Sequence, residues 1–435
     1  MSKVQYSSIS RAASTALALA VVLLLAVAAT PGAQAQYEVL YRFDGKAAGG
    51  VPFAGVIRDA AGNLYGTTEY GGDLKCFPGV GCGVVFKLNP DTGEETVLYT
   101  FTGGTDGAGA NAGLIRDAAG NLYGTTPEGG HLNCEAEDDL PHPGGCGVVF
   151  KLDTTGNETV LHSFTGAADG SFPEAGVIRD AAGNLYGTTS AGGDPNCVIV
   201  PGCGVVFKLD TTGKETVLYA FTGESDGAFP TAVLIRDATG NLYGTAENGG
   251  DLNCILSPEG CGVVFKLKPD TRELTTLYAF TGEAAGAIPF PGVIQDTAGN
   301  LYGTTEFGGD NSNPALGFGV VFKLDTTGKE TVLYTFTGGA DGANPLAGVI
   351  RDAAGNLYGT TEQGGDLTCD APYGCGVVFK LDTTGKETVL HTFAGGADGA
   401  DPTAALIQDA AGNLYGTASA GGFDCNCGVV FKLTP

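Results

Sequence analysis

The sequence is organised by one hexapeptide, Gly-Asn-Leu-Tyr-Gly-Thr, which occurs seven times. Repeats of this size cannot bury their apolar residues alone and must stack on their neighbours, as in propellers and solenoids. We therefore predict one array of seven structural units rather than a series of independent domains. The copies recur every 56 to 63 residues and begin at Gly62, Gly120, Gly183, Gly240, Gly299, Gly355 and Gly412.

Each repeat contains four short apolar runs that are rich in β-branched and aromatic residues, a composition that pleated strands prefer. In the third repeat these runs cover residues 175–179, 184–188, 204–209 and 215–221. The first run is joined to the second, and the third to the fourth, by short segments that end in glycine and are typical of tight hairpin turns. Each repeat is thus predicted to form a four-stranded antiparallel meander.

The two ends of the repeat array predict how it closes. The seventh repeat stops after its third run, at residues 428–435, while residues 37–43 resemble the fourth run of the first repeat, residues 95–101. A split repeat of this kind is expected when the termini close a ring, whereas a linear solenoid would carry polar caps at both ends. We predict an all-β fold: a seven-bladed β-propeller with four antiparallel strands per blade, closed by the N-terminal strand, which completes the last blade.

The connections between runs alternate between uniform and variable. In an up-and-down meander, alternate connections lie at opposite ends of the strands. The second-to-third loops, which vary most, should therefore share one face with the fourth-to-first connections. We call this the loop face, and the opposite one, built from the uniform turns, the hairpin face. Because variable loops carry function more often than uniform turns do, we expect function on the loop face.

Residues 1–35 have the composition of a secretory signal peptide. Lys3 and Arg11 precede an apolar run over residues 16–29, and residues 33–35 offer the small side chains of a cleavage site. We predict a signal peptide at 1–35 and a single propeller domain at 36–435. The apolar run is shorter than the ~20 residues of a spanning helix, so we expect no membrane insertion after cleavage.

The chain is strongly acidic, with 22 Lys and Arg against 48 Asp and Glu. Removal of residues 1–35 takes away two basic residues and no acidic one, which leaves a net charge of −28. Such a charge argues against nucleic acid and anionic lipid as partners, and it favours solubility and cation binding.

Twelve cysteines in an exported chain predict disulfides. They form close pairs, one in the second-to-third loop of every repeat but the fifth, which lacks both and has Phe318 at the second position. Joint loss is expected of a bonded pair, whereas a thiolate metal site would gather four ligands. The short ring of the last pair opposes bonding between its two cysteines. The pairs are Cys76/Cys82, Cys134/Cys146, Cys197/Cys203, Cys254/Cys261, Cys369/Cys375 and Cys425/Cys427.

Three motifs recur through residues 37–435: Ala-Gly-Asn-Leu-Tyr-Gly-Thr-Thr, Gly-Val-Val-Phe-Lys-Leu and Glu-Thr-Val-Leu-Tyr-Thr-Phe. In these motifs the sequence resembles the GloVer tandem-repeat ("choice-of-anchor") family of exported bacterial proteins, whose biochemical function is not established. The resemblance implies a bacterial protein that is secreted or periplasmic, although no sorting tail follows the last repeat. More loosely, Asp-x-x-Gly-Asn-Leu-Tyr is similar to NHL-type propeller repeats, which implies blades and often a binding role, but no reaction.

Candidate ligand-binding residues lie in the connections assigned to the loop face. An Asp-Gly pair recurs in five fourth-to-first connections, where its carboxylates could bind calcium or a cationic ligand, or simply form the turn. No other cofactor is expected. The candidate aspartates are Asp106, Asp169, Asp226, Asp341 and Asp398, and the candidate aromatic contacts are Tyr70, Phe229, Phe307 and Tyr373.

Metal and catalytic motifs are scarce. His131, Cys134, His142 and Cys146 of the second repeat include zinc-type ligands, but both cysteines occupy the paired positions, so a disulfide explains them without metal. His162 and His391 stand where other repeats have a strand tyrosine and are interpreted as packing variants. The sequence contains no Gly-x-Ser-x-Gly or His-Glu-x-x-His motif. We therefore assign neither a metal site nor catalytic residues.

Three functions remain open at the level of sequence. The preferred one is a noncatalytic, monomeric propeller that binds an unknown ligand, an extracellular protein or a glycan through its disulfide-tied loop face. The first alternative is a lyase or glycoside-active enzyme that uses carboxylates at the mouth of the ring; the absence of tryptophan weakens a sugar-stacking site in either case. The second alternative is a structural component of the cell surface.

Overall fold

Seven four-stranded antiparallel sheets, each a meander, form the repeat array. The computed structural model describes residues 35–131, 134, 144–197, 199, 202–309, 317–422 and 425–435. The repeats lie in one compact unit, Ala35–Pro435, and the predicted signal peptide lies outside the described residues up to position 34. Within the described ranges, no helix is long and apolar enough to cross a membrane.

Blade one contains β2 to β5, and the following blades take four strands each in chain order, so that blade seven contains β26 to β28 together with β1. A three-residue 3-10 helix covers Gly396–Asp398. The strands are β1 Gln36–Arg42, β2 Ile57–Arg58, β3 Leu64–Thr68, β4 Val84–Asn89, β5 Glu94–Thr100, β6 Ile115–Arg116, β7 Leu122–Thr126, β8 Val148–Leu152, β9 Glu158–Ser163, β10 Ile178–Arg179, β11 Leu185–Thr189, β12 Val205–Leu209, β13 Glu215–Ala220, β14 Ile235–Arg236, β15 Leu242–Ala246, β16 Val263–Lys268, β17 Glu273–Ala279, β18 Ile294–Gln295, β19 Leu301–Thr305, β20 Val320–Leu324, β21 Glu330–Thr335, β22 Ile350–Arg351, β23 Leu357–Thr361, β24 Val377–Leu381, β25 Glu387–Thr392, β26 Ile407–Gln408, β27 Leu414–Ala418 and β28 Val429–Thr434.

The predicted ring closure is confirmed. Strand β1 pairs antiparallel with β28, with Tyr37 opposite Leu433 and Val39 opposite Phe431. A side-chain hydrogen bond closes the same junction, because Thr417 Oγ1 of blade seven donates to the carbonyl oxygen of Ala54, which precedes β2. The N-terminal strand is therefore the fourth strand of the last blade, as the split repeat predicted.

The first strand of each blade is shorter than the sequence predicts. Regular pairing covers two residues per blade, such as Ile178–Arg179 in place of the run 175–179. The backbone before this strand contacts the neighbouring blade instead: the carbonyl oxygen of Ala175 accepts a hydrogen bond from Thr125 Oγ1 at 2.8 Å. This carbonyl thus links two blades instead of extending a sheet.

The core lies between blades, so both faces of each sheet are buried. One cluster, for example, joins Val85 and Phe101 of blade one to Leu122 and Phe150 of blade two, and the rings of Phe101 and Phe150 pack edge to face with centroids 5.2 Å apart. This explains why the third strand reads Val-Val-Phe-Lys-Leu rather than alternating between apolar and polar residues.

The repeated hexapeptide builds the first hairpin and the blade contact. In blade one, Asn63 Nδ2 and the Tyr65 hydroxyl both donate to Oδ2 of Asp59 in the preceding turn. Gly66 admits close packing, since a methyl group there would lie 2.6 Å from the ring of Phe86. The final Thr67 Oγ1 donates to the carbonyl oxygen of Ala112 in the next blade. The motif therefore serves structure along its whole length.

All twelve cysteines are paired within their own loops. The five predicted pairs with longer rings are confirmed: Cys76–Cys82, Cys134–Cys146, Cys197–Cys203, Cys254–Cys261 and Cys369–Cys375. The last pair, whose short ring opposes bonding, is bonded as well, with the Cα atoms of Cys425 and Cys427 5.3 Å apart. The structure thus pairs the two cysteines whose mutual pairing the sequence left open.

The disulfides of the loop face are anchored in the core between blades. The second cysteine of every pair is buried; Cys82 is 1% exposed and Cys375 is 2% exposed. Each directly precedes the glycine that leads into the third strand, so it enters the apolar layer between blades, Cys82 in the same cluster as Phe101 and Cys375 in the same cluster as Phe393. These sulfurs therefore attach the loops to the core between blades. The remaining buried second cysteines are Cys146, Cys203, Cys261 and Cys427.

The fifth blade shows what replaces a disulfide. In blade four the sulfurs pack against Gly282, where a methyl group would lie 2.7 Å from Cys261 Sγ. In blade five a methyl group on the equivalent Gly338 would instead meet the ring of Phe318. Phe318 thus fills the volume of the missing disulfide.

Candidate functional site

The segments just before the short first strands of the seven blades converge at the centre of the ring. A cavity of about 390 Å³ within it is lined by residues of all seven blades, mostly Ala, Gly, Val, Leu and Ile. Polar side chains among the lining residues include Asn111, Glu174, Thr231 and Thr403. Because the lining of this cavity is mostly apolar, we expect the polar groups that could orient a ligand around its openings.

On the loop face, one residue of each fourth-to-first connection links two blades. In blade four this linker residue is Phe229: its amide donates to the carbonyl oxygen of Cys203 in blade three, and its own carbonyl accepts the amide of Glu247. Every linker residue has a positive φ, between 53° and 66°, although only one of the seven is glycine. Such a backbone is unfavourable for Val, Ile and Phe, so surrounding hydrogen bonds must hold it. The linker residues are Val51, Gly109, Phe172, Phe229, Ile288, Asn344 and Asp401.

These links gather carboxyl groups around the loop-face mouth. In four blades the residue bonded to the linker carbonyl is a glutamate that directly follows the second strand. In blades three and seven that position is a serine, Ser190 or Ser419, and the carboxyl group comes from the facing connection instead. We call the resulting six side chains the carboxyl ring: Glu69, Glu174, Glu247, Glu306, Glu362 and Asp401.

The carboxyl ring is electrostatically coupled. Burial, together with smaller contributions from the neighbouring charges of Glu174 and Glu306, raises the pKa of Glu247 to about 8, while a hydrogen bond from Thr231 opposes the shift. Burial and then the adjacent Glu362 raise the pKa of Glu306 to about 7. Because Glu247 responds to Glu174 and Glu306, and Glu306 responds to Glu362, these members act as one set of weakly acidic groups.

The remaining members behave in the same way. Although Glu174 is exposed to solvent in the concave mouth, the surrounding protein raises its pKa to about 7, with a smaller contribution from Glu69. Burial raises the pKa of Glu362 to about 6, with help from Asp401, and that of Asp401 to about 6. Burial also raises the pKa of Glu69. A cation that binds here would have to displace protons from these groups near neutral pH.

The five predicted aspartates lie on the loop face but do not converge on the mouth. Isolated bridges between the two kinds of connection, such as Ala108 with Glu128, confirm that the connections share a face. Asp106 accepts hydrogen bonds from the hydroxyl of Tyr99 on the outermost strand and from both the amide and the hydroxyl of Thr102. Each aspartate is bound in this way within its own connection, and cation binding by them stays a prediction. The other four are Asp169, Asp226, Asp341 and Asp398.

The two strand histidines replace tyrosine in these clusters. His391 Nε2 lies 3.2 Å from Oδ2 of Asp398, and His162 Nε2 lies 3.5 Å from Asp169. Both therefore stand where Tyr99 meets Asp106, which fits their interpretation as packing variants.

The four predicted aromatic contacts differ in position. Tyr70 and Phe307 directly follow ring members Glu69 and Glu306, and the Tyr70 hydroxyl is hydrogen-bonded to Glu69. Phe229 is itself a linker residue and packs half-buried against the core. Tyr373 lies apart, 60% exposed within the disulfide loop of blade six. Three of the four thus border the carboxyl ring, and their role in ligand binding stays a prediction.

The sequence contains a pattern of acidic residues that predicts the carboxyl ring, but only when two segments of each repeat are compared. Glutamate follows Gly-Asn-Leu-Tyr-Gly-Thr-Thr or -Ala in four repeats, at 69, 247, 306 and 362. Where serine takes its place, a carboxyl residue flanks the proline of the preceding connection, in Pro173-Glu174 and Asp401-Pro402. Such compensation between two segments would have identified them as spatial neighbours.

Metal binding has little geometric support. Among the described residues, no three His, Cys, Asp or Glu side chains lie close enough to hold one metal ion. Cys134 and Cys146 form a disulfide, which removes the two thiolates of the hypothetical zinc site. His142 of that site lies outside the described residues.

The fold and these repeats define the chain as a seven-bladed β-propeller with an acidic loop-face mouth. The family model of the Gloeobacter/Verrucomicrobia repeat matches residues 28–256, 141–371 and 253–435. The chain therefore belongs to this repeat family, as its motifs predicted. Among curated protein sequences, no match is found.

Solved structures similar to this chain include enzymes of low sequence identity. An oligogalacturonate lyase from Vibrio parahaemolyticus is 12% identical over 92% of this chain and 96% of that chain, with a TM-score of 0.50. A gluconolactonase from Xanthomonas campestris is 14% identical over 73% and 82%, with a TM-score of 0.37. A luciferin-regenerating enzyme is 14% identical over 92% and 95%, with a TM-score of 0.40. At 12% identity, the similarity to the lyase concerns the fold alone.

Proposed function

We propose that the protein is an exported, noncatalytic binding propeller that holds an extended organic cation, such as a polyamine or a basic peptide segment, at its loop-face mouth. The observation that carries this proposal is the carboxyl ring, to which six of the seven blades contribute one acidic side chain. Because no three described acidic side chains meet around one point, a ligand whose positive charges are spread along its length suits the ring better than a calcium ion does.

Export is supported by the cysteine chemistry. Six disulfides within the variable loops indicate an oxidising compartment, extracellular or periplasmic. They also tie each of these loops near its base, which reduces the conformational entropy that the loop face loses when it binds a ligand.

A second candidate function rests on Glu247. A carboxyl group with a pKa of about 8 is protonated at neutral pH and can act as a general acid, with the coupled Glu174 or Glu306 as base. This pair would serve the enzyme alternative, a lyase or glycoside-active propeller.

Calorimetric titration with spermidine, and separately with calcium chloride, tests the proposal. We expect spermidine to bind and the variant Glu247→Gln/Glu306→Gln to bind it at least about tenfold more weakly, since two of the ring carboxyl groups that can ionise beside the cation are lost. The matched control is Glu259→Gln/Glu283→Gln, which removes two exposed charges from the loop face of the same blades outside the ring. The control should bind almost as tightly as the wild type.

Three results would contradict the proposal. Equal losses of spermidine affinity in the two double variants would show that binding depends on the overall charge of the loop face rather than on the ring. Tighter binding of calcium than of spermidine would favour a metal site. Turnover of oligosaccharides by the wild type that disappears in Glu247→Gln would support the enzyme instead.

A further inference from the structure

The hairpin face, opposite the carboxyl ring, carries a second repeated arrangement. In five blades the last residue of the first strand is an arginine, whose exposed side chain folds back over the glycine of its own hairpin. A methyl group on Gly120, for example, would lie 2.9 Å from Nη2 of Arg116. The same guanidinium lies over the ring of Tyr65 in the preceding blade, with Cζ 5.7 Å from the ring centroid. Four such contacts join neighbouring blades: Arg58 with Tyr415, Arg116 with Tyr65, Arg179 with Tyr123 and Arg351 with Tyr302.

Blades five and seven have glutamine at this position, Gln295 and Gln408. A methyl group built on Gly299 would meet only Thr326 Cγ2 of the described residues, at 3.1 Å, and one on Gly412 would meet no described atom within 4 Å. The position beside the hairpin glycine that a guanidinium covers in the other blades is therefore uncovered here, and the shorter Gln408 side chain donates from Nε2 to the carbonyl oxygen of Gly412 at 3.4 Å. Two cavities coincide with these positions, one of about 480 Å³ beside Gln295 and one of about 430 Å³ beside Gln408.

The cleft beside Gln295 has the chemistry of a cation site. Its lining includes Tyr243 of blade four and three carboxylates, Asp237, Asp296 and Asp325. Asp237 and Asp296 accept hydrogen bonds from asparagine side chains within their own turns. Although burial opposes it, these bonds hold the pKa of both carboxyls below the usual range, so they stay charged. The cleft beside Gln408 similarly contains Asp352, Asp409 and Tyr358.

One lysine lines the first cleft, but the tyrosine ring beside it can still accept a second cation. Lys266 Nζ lies 5.4 Å from the centroid of Tyr243. The equivalent ring of Tyr302 carries two cations at once, Lys323 Nζ at 5.8 Å and Arg351 Cζ at 5.7 Å. A ring of this type therefore accommodates a guanidinium in addition to its own lysine. Of the two cationic groups, the planar guanidinium is the one that stacks on aromatic faces more often.

We propose that the clefts beside Gln295 and Gln408 are binding sites for the guanidinium group of an arginine side chain presented by a partner peptide or protein. The incoming group takes the place that the protein's own arginine holds in the other five blades, over the tyrosine of the preceding blade and between the two hairpin carboxylates. These sites are separate from the carboxyl ring, since they lie at the opposite ends of the strands.

Saturation-transfer NMR with acetyl-arginine amide tests the proposal, with acetyl-lysine amide and the neutral isostere acetyl-citrulline amide as matched probes. We expect weak, arginine-selective binding with a dissociation constant of about 1 mM or higher, because the stacked cation and the exposed carboxylates each contribute little. The variant Gln295→Arg/Gln408→Arg fills both clefts with the residue that five blades already tolerate, so it should fold normally and lose the signal. Conversely, Arg116→Gln opens a third cleft and should raise the number of bound probes from two to three.

The outcome is decisive in either direction. A wild-type protein that gives no signal, an arginine signal that survives in Gln295→Arg/Gln408→Arg, or equal binding of lysine or citrulline overturns the proposal. Because none of these variants touches the carboxyl ring, spermidine binding should stay unchanged in all of them, and the two proposals succeed or fail separately.

Discussion

The ring of Tyr37 stacks on the imidazole of His391, with centroids 3.7 Å apart and planes within 1° of parallel. Tyr37 belongs to the N-terminal strand, whereas His391 lies on the outer strand of blade six. The Tyr37 hydroxyl also donates to the carbonyl oxygen of Asp398 at 2.6 Å. The strand that closes the ring is therefore attached to the preceding blade as well as to β28 in its own.

Removal of this contact should weaken closure. We expect Tyr37→Ala to lower the free energy of unfolding by about 2–3 kcal/mol, because it removes a partly buried aromatic stack and one hydrogen bond. The neighbouring Glu38→Ala, at an exposed position of the same strand, should change stability by less than about 0.5 kcal/mol. Chemical denaturation measures both, and equal effects would show that Tyr37 has no special part in closure.

Stability should fall between pH 5.5 and pH 8, because a glutamate at the start of the outer strand is half-buried in five blades, with one carboxyl oxygen unpaired. In blade one, burial raises the pKa of Glu95 from 4.5 to about 7, and the facing Asp44 contributes. A raised pKa means that the folded state binds the proton more tightly, so this stabilisation is complete below about pH 4.5 and is lost as the pH rises through 7.

Glu95→Gln tests this pH dependence, since the amide cannot ionise. We expect it to raise stability at pH 8 by up to about 1 kcal/mol, a discounted figure for a half-exposed group, and to change little at pH 5.5. Glu94→Gln, one residue earlier and exposed, is the control. Thermal melts across this pH range provide the measurement, and a Glu95→Gln profile parallel to the wild type would refute the assignment.

A phenylalanine should substitute partly for a disulfide. We expect Cys254→Ala/Cys261→Ala to cost about 2–3 kcal/mol, from the entropy of a short closed loop. Since Phe318 already packs against Gly338 at the equivalent place, Cys254→Ala/Cys261→Phe should recover part of that loss. Denaturation of the three proteins, with mass spectrometry to confirm that the wild type has no free thiols, provides the test; a phenylalanine variant less stable than the alanine variant would contradict the equivalence.

Cation affinity at the loop-face mouth should increase with pH. The ring groups Glu247, Glu306 and Glu362 have pKa values of about 8, 7 and 6, and a cation favours their ionised form. Binding of spermidine should therefore release protons and strengthen from pH 5.5 to pH 8.5. Calorimetry in two buffers of different ionisation enthalpy reports the proton release, and an affinity that does not change over this range would show that the ring is not the site.

Most of the architecture could be predicted from the sequence, because the same strand and turn motifs recur in seven repeats. The strand order, the two kinds of connection and the split seventh blade all follow from the spacing of motifs around Tyr65 and its six equivalents. The disulfides followed from the joint absence of both cysteines next to Phe318, whereas the burial of Cys82 and Cys375 between blades did not, since it depends on packing against the next blade. Local hydrogen bonds, such as Asn63 to Asp59, act over a few residues and leave a regular sequence trace.

The candidate site was predicted only in part. Asp106 and its equivalents recur as clearly as any motif, yet each is bound to a tyrosine or histidine of its own blade. The carboxyl ring is less regular, since Glu174 and Glu247 come from different connections and meet only when blades pack side by side. The open clefts at Gln295 and Gln408 are likewise defined by the tyrosine of a neighbouring blade.

The sequence by itself determined the number of blades, their strands and the closure of the ring, because short-range turn chemistry and apolar patterning repeat within each unit. Only the tertiary structure decided which carboxyl groups share a mouth and which tyrosine faces which arginine. Those relationships depend on contacts between residues about one repeat apart, such as Thr67 with Ala112. Such contacts join segments of different blades, and which segments meet is decided only when the blades pack side by side.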